Sequence, residues 1–451
     1  MLGRLFQPFI DESPISVMAR GLLERSLNPT KLDQWFERAA VAQYTRDLLF
    51  SSVFQMMNDV VFTTKPSVNA AYQPLKEELG VSVQSVYNKL NAVEPTTSAE
   101  LVRYCSEEIT PIIKEMKASH DPWLPGFRVK ILDGNCIEAT EHRIKALRTT
   151  AAAPLPGKSL VVFDPELDLV IDVFPCEDGH TQERALLSQI FPTIQTNDVW
   201  VGDRNFCVLS FLFGLKEKEG FFIIRQHKGL PFEELGPWRR QGISETGQVF
   251  EQWIKILDEN GKSLKLRRLR VCLNEPTRDG ETEIFILTNL PVKVAKAKKI
   301  AKIYRQRWMI ETAFQKLEKN LNSEINTLGY PKAALFGFCI ALVAYNTMSA
   351  IKAALRVVHG TEKIENDVSD YYIAREISET YRGMMIAIPK EQWSVFLSLT
   401  TAQLAHLFIK LAKNVKLFAF KKYSRGPKKP QVKPKWDPKH PHVSTARLIA
   451  G

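Results

Sequence analysis

The chain has 451 residues, 45% of them hydrophobic and 25% charged, with a formal net charge of +11. That length leaves room for two or three domains and a sizeable core, and the composition excludes a disordered or fibrous chain. Six scattered cysteines without a C-x-x-C pair give no zinc site or disulfide framework, so a reducing cytoplasm is expected. The N-terminus, MLGRLFQPFIDESPISV, lacks the charged and then apolar segments of a signal peptide.

Residues 1–122 read as a helical N-terminal domain. LERSLNPTKLDQWFERAA, YTRDLLFSSVFQMMNDVVF and SAELVRYCSEEITPIIKEM carry apolar residues at three- and four-residue spacing. Between the last two, AYQPLKEELGVSVQSVYNKLNAV predicts a helix, a turn at Gly80 and a second helix capped by Ser82. This is helix-turn-helix spacing, with Gln84, Ser85, Tyr87, Asn88 and Lys89 on the second element. Two packed helices of any kind share that spacing, so DNA binding and plain packing both stand.

From Gly126 the pattern becomes β. FRVKILD predicts a strand ending in Asp133, and SLVVFD and DLVIDVF predict two more around a tight turn from Asp164 to Leu167. TQERALLSQIF reads as helix, NDVWVGD as a fourth strand ending in Asp203, FCVLSFLFGLKEKEG as helix and FFIIRQ as a fifth strand. The order β-β-β-α-β-α-β is that of a ribonuclease H-like α/β domain, whose first part spans 123–227. Residues 228–292 predict an antiparallel β insertion of GQVFEQWIKIL, KSLKLRRLRVCL and TEIFILTNL, with turns at Asn260-Gly261 and Asp279-Gly280. The second part of the core and the C-terminal helices occupy 293–412.

Within that second part, IYRQRWMIETAFQKLEKNL, Ile303 to Leu321, predicts one amphipathic helix. Tyr304, Arg307, Glu311 and Gln315 share a narrow arc beside its apolar stripe. Taken alone, Arg307 and Glu311 read as an ordinary i,i+4 ion pair. ALFGFCIALVAYNTMSAI, Ala334 to Ile351, is uncharged, but Asn346, Thr347 and Ser349 dilute it. It is expected to be a buried core helix, with no membrane partner. Residues 413–451 form a basic tail, with ten lysines and arginines against one aspartate between Lys413 and His442. Its Lys421, Lys422, Arg425, Lys428 and Lys429 suit nucleic acid or a solubilising role.

The acids then read as a group. Strands one and four are neighbours in this order, which sets Asp133 side by side with Asp203, and a helix packed on the sheet brings Glu311 to the same edge. Three crowded carboxylates repel unless protonated or neutralised, so one or two divalent metals with oxygen ligands are their natural partners. Two Mg²⁺ ions about 3.5–4 Å apart activate a water or hydroxyl and stabilise the leaving oxygen of a phosphoryl transfer. Singly, Asp133 in LDGN also reads as a turn starter and Asp203 as a helix cap. PLPGKS is not a phosphate loop, because position 152 is alanine where the motif needs glycine. His142, His180 and His227 show no paired metal spacing. A phosphatase using Asp133 as nucleophile leaves Glu311, the insertion and the tail unexplained.

Tyr304, Arg307 and Glu311 in YRQRWMIE fall on the first three positions of a Y-x2-R-x3-E-x6-K signature, and Trp308, Ile310 and Phe314 fit its surroundings. With ILDGN and VWVGDRNF as acid motifs, the sequence resembles the DDE transposases of the insertion sequence 4 group over about residues 75–435. The resemblance implies a ribonuclease H-like fold and metal-dependent cleavage at terminal inverted repeats. It also implies strand transfer into target double-stranded DNA by cut-and-paste, through hairpin ends in related enzymes, and a homodimer on paired ends. Asp133, Asp203 and Glu311 would be the catalytic ligands of two Mg²⁺ ions, with Mn²⁺ as a substitute. Tyr304 and Arg307 would hold the terminal phosphate, while Lys319, Arg204, Arg225 and Lys228 would contact DNA. Hairpin-forming relatives stack a flipped base on a ring of the insertion, for which Trp253 and Phe285 are the candidates. The signature lysine falls on Glu318, and Lys319 lies about 100° further round the helix. The expected location is a prokaryotic cytoplasm, with the nucleoid. A nuclease that cuts without joining and a transposase-derived DNA-binding protein without catalysis are the alternatives.

Overall fold

Alternating apolar residues between 128 and 288 build one large sheet in the computed structural model, which describes residues 2–43, 47–137, 140, 144–148, 154–277, 279–423 and 442–450. Strands β1 (Arg128–Ile137), β2 (Gly157–Asp164) and β3 (Leu169–Cys176) form an antiparallel meander. β4 (Asp198–Gly202) pairs parallel with β1, and β5 (Phe221–Arg225) pairs parallel with β4. The order β3-β2-β1-β4-β5 is ribonuclease H-like, as the sequence predicts.

The sheet does not stop at β5. β6 (Gly247–Leu257), β7 (Ser263–Leu273) and β8 (Glu283–Thr288) are the predicted insertion, and β8 bonds antiparallel to β5, Leu287 opposite Ile224. Two shorter strands, Glu233–Glu234 and Arg239–Ser244, pair with β6 and complete ten strands. The insertion therefore extends the sheet of the core. Gly261 and Gly280 take φ of 78° and 81° at the tips of its turns, the conformation those Asn-Gly and Asp-Gly pairs predict.

Two-residue alternation sorts the side chains into two cores. Val129, Ile131, Val199, Val201 and Ile223 face the helices on one side. Leu132, Trp200, Phe222 and Ile224 face the segments between Glu183 and Glu217 on the other. Each such side chain, fully buried, contributes roughly 1.5–3 kcal/mol. TQERALLSQIF, expected as an α-helix, is a 3₁₀ segment, Glu183–Gln189. Pro192 follows closely and disfavours a longer α-helical run.

Helices α1 (Pro95–Glu115), α2 (Ala297–Gln306), α3 (Trp308–Asn320) and α4 (Pro331–His359) cover the first face, and α5 (Asp370–Ala387) packs on α3 and α4. Pro14–Ser26 and Phe50–Val61 pack on α4, so the N-terminal helices share one core with the sheet. α4 is long and apolar enough to cross a membrane, yet its apolar stretch is wholly buried in the protein, as expected of a core helix. Its Asn346 serves the outer edge of β3, accepting from Val170 N at 2.8 Å and donating to Val170 O at 2.7 Å. An edge strand that is otherwise short of partners is closed in this way.

The turn at Gly80 is left-handed, with φ 64°, and the Ser82 side chain accepts from Ser85 N, so the predicted helix pair forms. Lys89 does not face solvent as a recognition residue would. Its Nζ donates to Leu48 O at 2.9 Å and lies 5.1 Å above the Phe36 ring.

Candidate active site

Asp133 was expected at a strand end, but β1 continues to Ile137 and Asp133 pairs with Val161 of β2. What ends near it is the parallel pairing, whose last pair is Ile131 with Val201. Two residues further on each chain stand Asp133 and Asp203, on the face that Ile131 and Val201 share. The turn-starter reading of Asp133 is thus excluded. Asp203 does cap a turn, accepting from Asn205 N at 2.8 Å, and holds its place at the sheet edge as well.

Glu311 arrives from the other direction. α3 lays Ile310, Ala313 and Leu317 against the core, which leaves Glu311 at the rim of the buried face. The predicted single helix from 303 to 321 is two helices, divided at Arg307. There the bonds tighten to Arg307 N→Tyr304 O and Ile310 N→Arg307 O, each 3.2 Å, while the backbone stays right-handed. The Arg307 guanidinium then points between the acids. It donates to Asp133 Oδ2 at 2.8 Å and to Glu311 Oε1 at 2.8 Å, so Glu311 belongs to more than a surface ion pair.

The charges are coupled. Burial, with Asp203 and Glu311 nearby, raises the Asp133 carboxyl to about 7 against the pull of Arg307. Arg307 is itself buried, 8% exposed, and its Nε has no partner among the described residues. Among those residues no three candidate ligands converge on one point. The Arg307 guanidinium lies between Asp133 and Glu311, bonded to both. The donors are carboxylate oxygens alone, the set that suits Mg²⁺, and the neutralisation Arg307 provides is what a bound cation would provide.

The other expected residues divide. Tyr304 is 7% exposed and packed in the core, with its hydroxyl beside Arg307 and the acids, and burial raises that hydroxyl's pKa. Arg204 and Arg225 flank Asp203 but are held by Glu281, from the turn between β7 and β8. Lys228, Lys319 and Lys421 are exposed, as is Lys422, whose Nζ reaches Glu365 O. Trp253 is 39% exposed with the Lys265 ammonium 4.8 Å from its ring centre. Phe285 is not an open ring, because the Arg268 guanidinium lies 4.4 Å from it and Trp238 packs at 6.2 Å. Glu318 is exposed. Arg425, Lys428, Lys429 and His142 lie outside the described residues.

Trp308, which the sequence places in the signature, is 59% exposed and stands beside Arg307. Two features escaped the sequence reading. Glu281 is the acid that restrains Arg204 and Arg225. Glu183 lies against Gly134, so close that a Cβ there would run into its carboxylate. Burial and Asp203 raise the Glu183 pKa, and Asn205 Nδ2 donates to its Oε2 at 3.4 Å. No spacing in TQERALL marks that glutamate. Only the absence of a side chain at Gly134, directly after Asp133, hinted that something approaches there.

The sheet has the strand order of a ribonuclease H-like fold, with Asp133 and Asp203 near the end of the pairing between β1 and β4. Residues 125–347, a little under half of the chain, match the family described as Transposase DDE domain. Among solved structures, it is similar to a piggyBac transposase synaptic complex with hairpin DNA. The two share 10% identity over 88% of this chain and 86% of that one, with a TM-score of 0.40. No curated protein matches the chain in sequence.

Proposed function

We propose that this protein is a cut-and-paste transposase of the insertion sequence 4 group, a homodimer that binds terminal inverted repeats and joins the released ends to target DNA. The observation that carries this reading is the register of Asp133 and Asp203 on neighbouring parallel strands, with Glu311 joined to Asp133 through Arg307. Asp133, Asp203 and Glu311 would hold two Mg²⁺ ions, with Mn²⁺ substituting. Bound there, the metal supplies an activated water or 3′-hydroxyl and charge neutralisation at the leaving oxygen. The chain supplies the rest: the sheet fixes two carboxylates, α3 fixes the third, and Arg307, once released from Asp133 and Glu311, would donate to a non-bridging phosphate oxygen. The hairpin step would draw its stacking ring from the β insertion. The setting is a prokaryotic cytoplasm, at the nucleoid.

The test is cleavage and joining of DNA carrying the gene's flanking ends, with Mg²⁺ and with EDTA, for wild type and Glu311→Gln. Cleavage plus joining in Mg²⁺, lost in the variant while DNA binding persists, supports the reading. Cleavage without joining makes the protein a nuclease, and binding without chemistry makes it a DNA-binding derivative.

A further inference from the structure

A cleft of about 580 Å³ opens on the solvent side of α3, beyond Glu311. Thr312, Gln315 and Lys319 line it from α3, and Tyr371, Tyr372 and Tyr423 line it from across. The three rings form a chain of edge contacts, with Tyr371 to Tyr372 at 5.3 Å and Tyr372 to Tyr423 at 6.1 Å. Tyr371 is 48% and Tyr423 75% exposed, so two large aromatic faces are left to solvent in one place.

The charge around these rings is arranged for an anion. Asp370 lies in the wall, but Lys316 and the buried Lys352 each reach it at 3.1 Å, Lys352 also reaching Glu365 at 3.2 Å. Lys422 spends its contact on a neutral carbonyl, Glu365 O, and Lys319 stands exposed on the helix. Two cations beside open aromatic rings are the elements with which proteins hold single-stranded nucleic acid. The cleft is also at a useful distance. Lys319 follows Glu311 by eight residues. At about 1.5 Å per residue that is about 12 Å along the helix, some three stacked nucleotide steps.

We propose that this cleft holds an unpaired nucleotide of the DNA strand a few steps from the reacting phosphate. Its base lies on Tyr371 or Tyr423 and its phosphates against Lys319 and Lys422. The inference rests on the DNA reading above and adds to it a site outside the acid cluster, selective for a base released from its stack.

The full chain is titrated with end-labelled oligo-dT and with a blunt duplex of equal length, reading fluorescence anisotropy. The Tyr371→Ala, Tyr423→Ala double variant is expected to lose single-strand affinity by about fivefold to a hundredfold, with duplex affinity kept within about twofold. The Phe, Phe double variant restores single-strand binding. Lys319→Ala with Lys422→Ala lowers the slope of log affinity against log salt by about 1.4 for the single strand. Unchanged oligo-dT binding by the Ala pair, or equal loss for both DNAs, overturns the cleft and leaves the transposase reading standing. A wild-type chain that binds neither DNA overturns both.

Discussion

Arg307 donates to Asp133 at 2.8 Å although the two lie 174 residues apart in sequence. The same guanidinium holds Glu311 at 2.8 Å, so one cation on the bend between α2 and α3 neutralises an acid on the sheet and an acid on a helix. Removing it leaves two carboxylates and Asp203 facing one another. Arg307→Ala is expected to cost about 3–5 kcal/mol of stability in EDTA. Mg²⁺ should then raise the melting temperature of the variant more than that of wild type, since a cation binding the folded state takes over the lost neutralisation. Equal shifts in thermal unfolding for the two chains would separate Arg307 from the cation site.

Gly134 makes a sharper probe than the acids themselves. An alanine Cβ meets the Glu183 carboxylate and must displace it or β1, beside Asp133. Gly134→Ala is expected to lower the cleavage rate on the order of a hundredfold, the scale of a misplacement near one ångström. Glu183→Ala in the same chain should recover part of that loss. Full activity in Gly134→Ala would show that the Glu183 side chain moves away without consequence.

Asp59, on the N-terminal helix Phe50–Val61, carries a pH signature. Burial raises its carboxyl to about 6, against a Thr64 hydrogen bond and the charges of Lys65 and Arg20. The folded chain therefore holds a proton that the unfolded chain releases near pH 4, and stability falls as pH rises from about 4 to about 6. Asp59→Asn removes that penalty. It is expected to stabilise the protein by up to about 3 kcal/mol above pH 6 and by little below pH 4, read from urea unfolding across that range. A gain that is the same at both ends would mean that packing is responsible.

Asn346 closes β3 with two hydrogen bonds to one residue, Val170. Asn346→Leu leaves a buried amide and a buried carbonyl without partners, and is expected to cost about 2–4 kcal/mol. The denaturation midpoint should drop with the urea slope unchanged. A neutral substitution would show that water reaches the edge of β3.

Much of this structure is written in the local pattern. The two-residue alternation of FRVKILD and NDVWVGD gives strands, the connections give their order, and order with register brings Asp133 to Asp203. What periodicity does not carry is the partner of each face. It cannot tell that β8 would bond to β5, that Tyr304 would turn into the core, or that Phe285 would be covered by an arginine from β7. Asp133 was misplaced for a related reason: a strand can lose one neighbour and keep the other, and the sequence beyond ILD reads as a turn only if both are lost. Glu183 and the tyrosine cleft join segments far apart in the chain, and no short spacing encodes such meetings.

The bond between β8 and β5 has a mechanical meaning. A β domain hung from two loops swings like a flap, whereas this one is an overhang of a continuous beam. Arg267 bolts it down, donating from within to Glu251 at 2.6 Å and to the carbonyls of Leu290 and Ala295 just ahead of α2. Deflecting the outer strands means shearing backbone ladders that end within two residues of Asp203. On the proposed transposase reading, a duplex seated against both the overhang and the acids would meet the stiffer body, and the bending would fall on the DNA.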